Sequence, residues 1–447
     1  MKRKIVLIIA VMLMTAAVGC ANNKDSGSNN AAAENNIAEE AEEELPECMS
    51  YYCYVDEQAG KTGYKDAAGN VVIEPQFQDC QKFAKNGLAA VKTDDKYGYI
   101  DAAGNMVIEP EFDVANPFGE CGLASANKAG EMLFGYIDST GEFVIEPKFE
   151  VAGDFNKKGA AWVGSWEKNE FGLINTQGEY ITDTKVYLPS FNSDPDFMNV
   201  IVEPYESAGF MNSSGEFVIE PKYQMVRPFA PNGLAKVTFS DETTGIYNAF
   251  IDKNGKEVIK FENVTETGNF GANGLAPIEK EFKPDNIEDC FEIGPDGKKR
   301  LVKDKFGYIN EKGDFVIEDK FDYAGDFMDN GLAWVCVEDK YGYIDSSGGY
   351  VIEPKFDKAD DFEDGYAIVE VNGKKGVIDE SGNFVIEPEY DGLTYVSSSG
   401  LFYASIDGED GTVKDYIIDR DGSRMNRVRK KLGESKTIAG LEITPQT

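Results

Sequence analysis

Between Tyr341 and Asp345 bulky and small side chains alternate, the period of a strand with one face turned inward. Ser346, Ser347 and Gly348 follow as a tight turn, and Tyr350 to Glu353 resumes the alternation as a return strand. Asp345 can accept hydrogen bonds from the backbone ahead of it, and Gly348 can take the positive φ of a short hairpin loop with a glycine bulge. Pro354 has no N–H to give to a ladder, so it is expected to end the strand. The pattern returns about ten times, in units that begin at Gly63, Gly98, Gly135, Gly172, Gly209, Ala249, Gly307, Gly342, Gly376 and Asp415. Most spacings are 34 to 40 residues, and the interval from Ala249 to Gly307 is 58. There Glu281 to Asp304 adds a charged insertion whose Gly294-Pro295-Asp296-Gly297 predicts the turn of an extended hairpin. Between Tyr180 and Ser207 the Val-Ile-Glu-Pro signature decays into a Pro- and Asp-rich stretch.

Each unit carries a further strand, as in Gly87-Leu88-Ala89-Ala90-Val91, Gly233-Leu234-Ala235-Lys236-Val237 and Gly331-Leu332-Ala333-Trp334-Val335. Ala and Val share one face and stay small or β-branched, as close packing of neighbouring sheets requires. The position after the alanine varies: Ala90, Ser125, Trp162, Lys236, Pro277, Trp334, Ile368. A place that accepts both lysine and tryptophan is expected at a rim. Phenylalanines recur in pairs through the connection, as in Phe77 and Phe83, Phe112 and Phe118, Phe149 and Phe155, Phe321 and Phe327, Phe356 and Phe362. A single unit cannot bury enough apolar surface alone, so these rings are expected to form a stacked core.

These units resemble the WG (KWG) repeat family of bacterial proteins, whose consensus combines Gly-Leu-Ala-x-Val, Lys-Trp-Gly-Tyr-Ile-Asp, a glycine turn and Val-Ile-x-Pro before an aromatic residue. The resemblance covers about Tyr52 to Gly422. The naming tryptophan is replaced by Tyr97, Phe134, Phe171, Phe306 and Tyr341, which keeps an aromatic plate at that place. The resemblance implies an all-β architecture of tandem repeats and supplies no catalytic residues. About ten units with uneven spacing favour a curved open array slightly over a closed propeller-like toroid.

The ends differ from the repeats. Lys2, Arg3 and Lys4 precede an apolar run from Ile5 to Val18, laid out like an export signal. Ala17-Val18-Gly19-Cys20 resembles the lipobox of bacterial lipoproteins, which implies that Cys20 is diacylated and becomes the new N-terminus. Ala21 to Glu44 has the composition of a disordered tether. The expected organisation is a signal peptide at 1–19, anchor cysteine and tether at 20–45, a repeat array at 46–422 and a basic tail at 423–447. The expected location is extracytoplasmic, lipid-anchored to the cell membrane, or to an outer membrane if the host has one. Arg420, Arg424, Arg427, Arg429, Lys430 and Lys431 form the one basic cluster, read first as a solvated end or a cap on the acidic array, and second as a contact for anionic lipid or wall polymer.

Composition narrows the chemistry. The 447 residues carry a formal charge of −36 and no histidine. Nucleic acid is therefore an unfavourable partner, and the commonest general base and metal ligand is missing. Besides Cys20 there are six cysteines, Cys48, Cys53, Cys80, Cys121, Cys290 and Cys336, whose connectivity the sequence leaves open. Cys80 falls in register with Ala115, Ala152, Ala324 and Ala359 and reads as a small buried residue, and Cys48 and Cys53 are near enough in sequence to pair. The recurring carboxylates, such as Asp101 with Glu109, Asp138 with Glu146 and Asp345 with Glu353, admit weak calcium binding, but Asp is independently expected as a turn former.

No cofactor or metal is implied. Trp162 and Trp334 are the candidate ligand contacts, since tryptophan is over-represented at binding hot spots. The functional expectation is a non-enzymatic lipid-anchored protein that presents an acidic surface to protein or cell-envelope polymer. The alternatives are a solute-binding lipoprotein of a transporter and an envelope glycan hydrolase using a carboxylate pair.

Overall fold

Four antiparallel strands, Tyr323–Ala324, Ala333–Val337, Lys340–Ile344 and Tyr350–Phe356, pair in chain order to make the sheet that carries the alternating stretch. The computed structural model describes residues 46–165, 167–168, 170–182, 186–187, 196–202, 207–241, 245–261, 264–280, 291–293, 299–301, 304–408 and 412–427. The hairpin turn forms as expected. Asp345 Oδ1 accepts from the N–H of Ser347 at 2.9 Å and of Gly349 at 3.1 Å, and Gly348 has φ +80°. On the return strand Ile352 and Phe356 are buried while Tyr350, Val351 and Glu353 face out.

Pro354 does not end that strand. Tyr343 pairs with Ile352 and Tyr341 with Phe356, so the return strand carries two extra residues in a bulge that contains Glu353 and Pro354. The missing N–H falls where the ladder is already broken, and pairing resumes beyond it. The bulge brings the backbone of the return strand onto Gly342. A side-chain carbon there would collide with the Ile352 carbonyl oxygen and lie 2.6 Å from the Pro354 nitrogen. The unit at Ala249 shows the converse. Its return strand Glu257–Lys260 lacks the proline, Ala249 pairs directly with Lys260, and a methyl group fits.

Successive sheets stack face to face. The turn of most units rests on the isoleucine of the one before, with Gly348 over Ile317 and Gly382 over Ile352. The paired phenylalanines are buried as expected; Phe83, Phe118, Phe155, Phe327 and Phe362 are each at most 6% exposed. The long strand Met106–Ala115 joins the second and third units into one seven-stranded sheet. The strands Phe291–Ile293 and Lys299–Leu301 pair as the hairpin expected in the long insertion.

The first and last sheets meet. Cys53, Val55, Tyr64 and Ile73 of the first share a buried cluster with Leu401, Ile417 and Met425 of the last. Val55 N–H donates to Asp419, Lys65 pairs with Asp421, and the N–H of Arg424 donates to Glu57. The all-β tandem array is thus present, and its ends have the contact of the closed alternative; uneven spacing is absorbed in loops and in the inserted hairpin. No α-helix occurs among the described residues.

Two details sharpen the sequence reading. Cys80 is buried, and it is bonded to Cys53, which ties the first sheet to the second; Cys48 is a buried free thiol. The last sheet includes the strand Arg424–Arg427, beyond the expected array boundary at 422. Arg420 lies over the Tyr52 ring, 3.9 Å from its centroid, and Arg424 pairs with Glu389, so this part of the basic cluster caps the array. The segments at 1–19 and 20–45 with Cys20, and Cys290, Arg429, Lys430 and Lys431, lie outside the described residues.

Candidate functional site

One residue is held at both its N–H and its carbonyl in five of the units. The N–H of Gln81, Asn116, Gly153, Arg227, Gly268, Gly325 and Asp360 donates to the carbonyl of Ala90, Ser125, Trp162, Lys236, Pro277, Trp334 and Ile368 respectively, at 2.9–3.0 Å. In five units the carbonyl of the same residue accepts from a buried tyrosine seventeen residues earlier. These are Tyr64 to Gln81, Tyr99 to Asn116, Tyr136 to Gly153, Tyr308 to Gly325 and Tyr343 to Asp360, at 2.7–2.8 Å. Burial raises the pKa of each of these hydroxyls, which keeps them protonated as donors.

The next residue is mounted on backbone held once or twice, with a buried or half-buried phenylalanine behind it. That residue is Lys82, Pro117, Asp154, Pro228, Asn269, Asp326 or Asp361. It sits at the edge of the sheet opposite the solvent-facing return strand, and here units touch, some of them far apart in the chain. Asn269 N–H donates to Asp326 Oδ1 at 2.8 Å, Lys82 pairs with Asp364, and the N–H of Lys82 donates to the Ser398 carbonyl.

Trp334 belongs to this edge. Its indole packs so closely on the backbone of Gly325 that a side-chain carbon there would collide with the indole nitrogen. The Asp361 carboxyl is pushed up to about 6, first by desolvation and then by Asp326 and Asp360, with Trp334 opposing. Desolvation also raises Asp326, against Asn269, Lys236 and Arg227. Burial, together with Arg227, lowers the Lys236 ammonium, which donates to the Thr267 carbonyl. Asp361 still reaches solvent although it is walled by protein, the condition of a side chain on the wall of a concave, wetted surface.

Trp162 is placed differently from its expectation. It is 7% exposed and stacks on Phe171 with ring centroids 5.4 Å apart, in a cluster with Leu173, Met198 and Val200. Ala90 and Ser125 at the same register are also buried, so the rim holds for Trp334 and not for Trp162. The two tryptophans are not brought together. The recurring aspartates act in turns; Asp66, Asp101, Asp138, Asp345 and Asp379 are held below the usual carboxylate range by turn N–H groups and neighbouring side chains. Among the described residues no group of three or more potential metal ligands occurs. Asp326 and Asp361 were overlooked in sequence, although their signal is there: a residue that varies freely at a fixed offset before an invariant phenylalanine.

A family model described as WG containing repeat matches residues 63–97, 97–131, 134–164, 209–241, 249–281, 306–341, 341–374 and 376–409, more than half of the chain. The chain belongs to the WG repeat family. No curated protein matches it by sequence.

Among solved structures, a eukaryotic initiation factor aligns at 10% identity over 84% of this chain and 95% of its own, with a TM-score of 0.41. The dihydro-heme d1 dehydrogenase NirN aligns at 10% identity over 86% and 74%, with 0.34. The β-propeller domain of the trilobed protease from Pyrococcus furiosus aligns at 10% identity over 78% and 96%, with 0.32. At these scores the likenesses carry no function to this WG repeat chain. Two of the three proteins are enzymes or parts of one, which is a statement about them alone.

Proposed function

We propose that this WG repeat protein is a non-enzymatic extracytoplasmic binding protein, anchored to the membrane through Cys20, that captures protein or cell-envelope polymer on an acidic surface. The observation that carries the reading is the recurrence of the doubly held residue in five units beside the variety of the residue that follows it. A fold that fixes the backbone at one place and varies the side chain mounted there is arranged for recognition. Trp334 with Asp361 and Asp326 is the candidate contact, an aromatic face beside carboxylates. A solute-binding lipoprotein would call for two α/β lobes, and the strand architecture gives that class no support.

Affinity capture from the protein's own cell envelope tests the reading, with the Trp334→Ala variant in parallel. Capture lost in the variant, with unfolding unchanged, supports it; equal capture by both clears Trp334 of the role. Membrane retention of a Cys20→Ser variant would overturn the anchor.

One observation favours a second reading, the glycan hydrolase. The Asp361 carboxyl is pushed up to about 6, first by desolvation and then by Asp326, the direction a general acid needs. Release of soluble fragments from peptidoglycan, abolished by Asp361→Asn, would replace binding with catalysis.

A further inference from the structure

A groove of about 520 Å³ opens where the doubly held edges of the third and fourth units face a loop of the last sheet. Asn116 and Pro117, Val151 to Asp154, and Ser397 with Ser398 line it. The loop reaches this place because Ser398 accepts the N–H of Lys82, and because Gly400, at φ +69°, lies beside the Lys82 side chain. The walls from Pro117, Val151 and Ala152 are apolar, and one charge projects among them. Gly153 is the doubly held residue of its unit, its N–H on Trp162 and its carbonyl on Tyr136, so the backbone that carries Asp154 is fixed at the groove.

Among the described residues no lysine, arginine or hydrogen-bond donor pairs with Asp154. Protein surrounds it closely enough that desolvation alone raises its pKa, yet the side chain reaches solvent. A carboxylate so placed has lost hydration without gaining a counter-charge, a cost that a cationic ligand would relieve. Ser397 and Ser398 also line the groove, and their hydroxyls make no hydrogen bond among the described residues. An ammonium group has three donors to distribute, and a carboxylate with two hydroxyls matches that number.

We propose that this groove binds a primary alkylammonium group, its charge on Asp154 and its carbon chain along Pro117, Val151 and Ala152. The group is carried either by a free amine or by a lysine side chain of a polypeptide. This site is separate from the Trp334 edge, so either can fail with the other intact.

The test is calorimetric titration of the purified full-length protein with hexylammonium, with a lysine residue capped at both ends, and with hexanol as the uncharged match. Saturable binding of at least one amine is expected, at least tenfold weaker in Asp154→Asn and absent for hexanol. Binding of hexylammonium alone assigns a free amine; binding of capped lysine assigns a polypeptide. Failure of both amines to bind, equal affinity in Asp154→Asn, or equally tight hexanol binding overturns the proposal. Ser397→Trp places an indole in the groove and leaves the carboxylate in place. Should Asp154→Asn fail to fold, amine binding undiminished in Ser397→Trp is likewise the overturning result.

Discussion

Val55 in the first sheet donates its backbone N–H to the carboxylate of Asp419 in the last, across 2.9 Å. Asp419 is the turn aspartate of its unit, and it also accepts from the N–H groups of Asp421 and Ser423. The carboxylate that shapes one hairpin therefore fastens the beginning of the array to its end.

Replacing it separates the two roles. Asp419→Ala strands the buried Val55 N–H together with two turn donors and is expected to cost about 2–3 kcal/mol. Asp345→Ala removes an exposed turn acceptor with no partner in another sheet and is expected to cost about 1 kcal/mol. Urea unfolding of the two variants checks the difference, and equal costs would remove Asp419 from the closure.

A methyl group should discriminate between bulged and regular units. Gly342→Ala forces a carbon against the Ile352 carbonyl and is expected to destabilise by about 1–3 kcal/mol. Ala249→Gly is expected to cost no more than about 1 kcal/mol, the ordinary backbone-entropy effect. Thermal unfolding midpoints rank the two.

The pH dependence of stability tests the Trp334 edge. The Asp361 carboxyl is raised from 3.8 to about 6 by desolvation, Asp326 and Asp360, with Trp334 opposing. Between those values the folded state holds more protons than the unfolded one, so stability contributed by the protonated acid is lost as pH rises through about 6. Asp361→Asn should unfold with the same free energy as the parent below pH 3.8 and resist urea better at pH 7. A parent equally stable or more stable at pH 7 would show that Asp361 ionises without penalty.

The two tryptophans should part company on truncation. Trp162→Ala empties a core position and is expected to cost about 3–5 kcal/mol. Trp334→Ala loses a half-buried ring at an edge and is expected to cost about 1 kcal/mol. Denaturant midpoints decide, and a severe loss at Trp334 would make it a core residue too.

Much of the fold was legible because every unit repeats the same physical problem. The alternation around Tyr343, the turn at Asp345 and the buried Phe356 and Phe362 each follow from local chemistry. Pro354 was misread because a bulge is a property of two strands in register, and one strand shows only the missing donor. Trp162 was misread for a related reason: its neighbour Phe171 lies on the paired strand, and Met198 and Val200 come from the following sheet. The framed residues at Asp154, Asp326 and Asp361 escaped notice since variability marks both solvent-facing and ligand-facing positions. Only the hydrogen bonds from Tyr136, Tyr308 and Tyr343 tell the two apart.

The bulge that displaces Gly342 from ordinary pairing acts on the other side of the strand as well. Val72, Val144, Val316 and Val351 face solvent on return strands that have no partner beyond them among the described residues, the usual template for strand-to-strand aggregation. In three of these four strands a proline three residues on, Pro75, Pro147 or Pro354, withholds a donor just where the backbone is already out of step. A second copy approaching such an edge finds only a few residues of matching register before the ladder fails. The kink that fits one unit together thereby denies its many edges to other molecules.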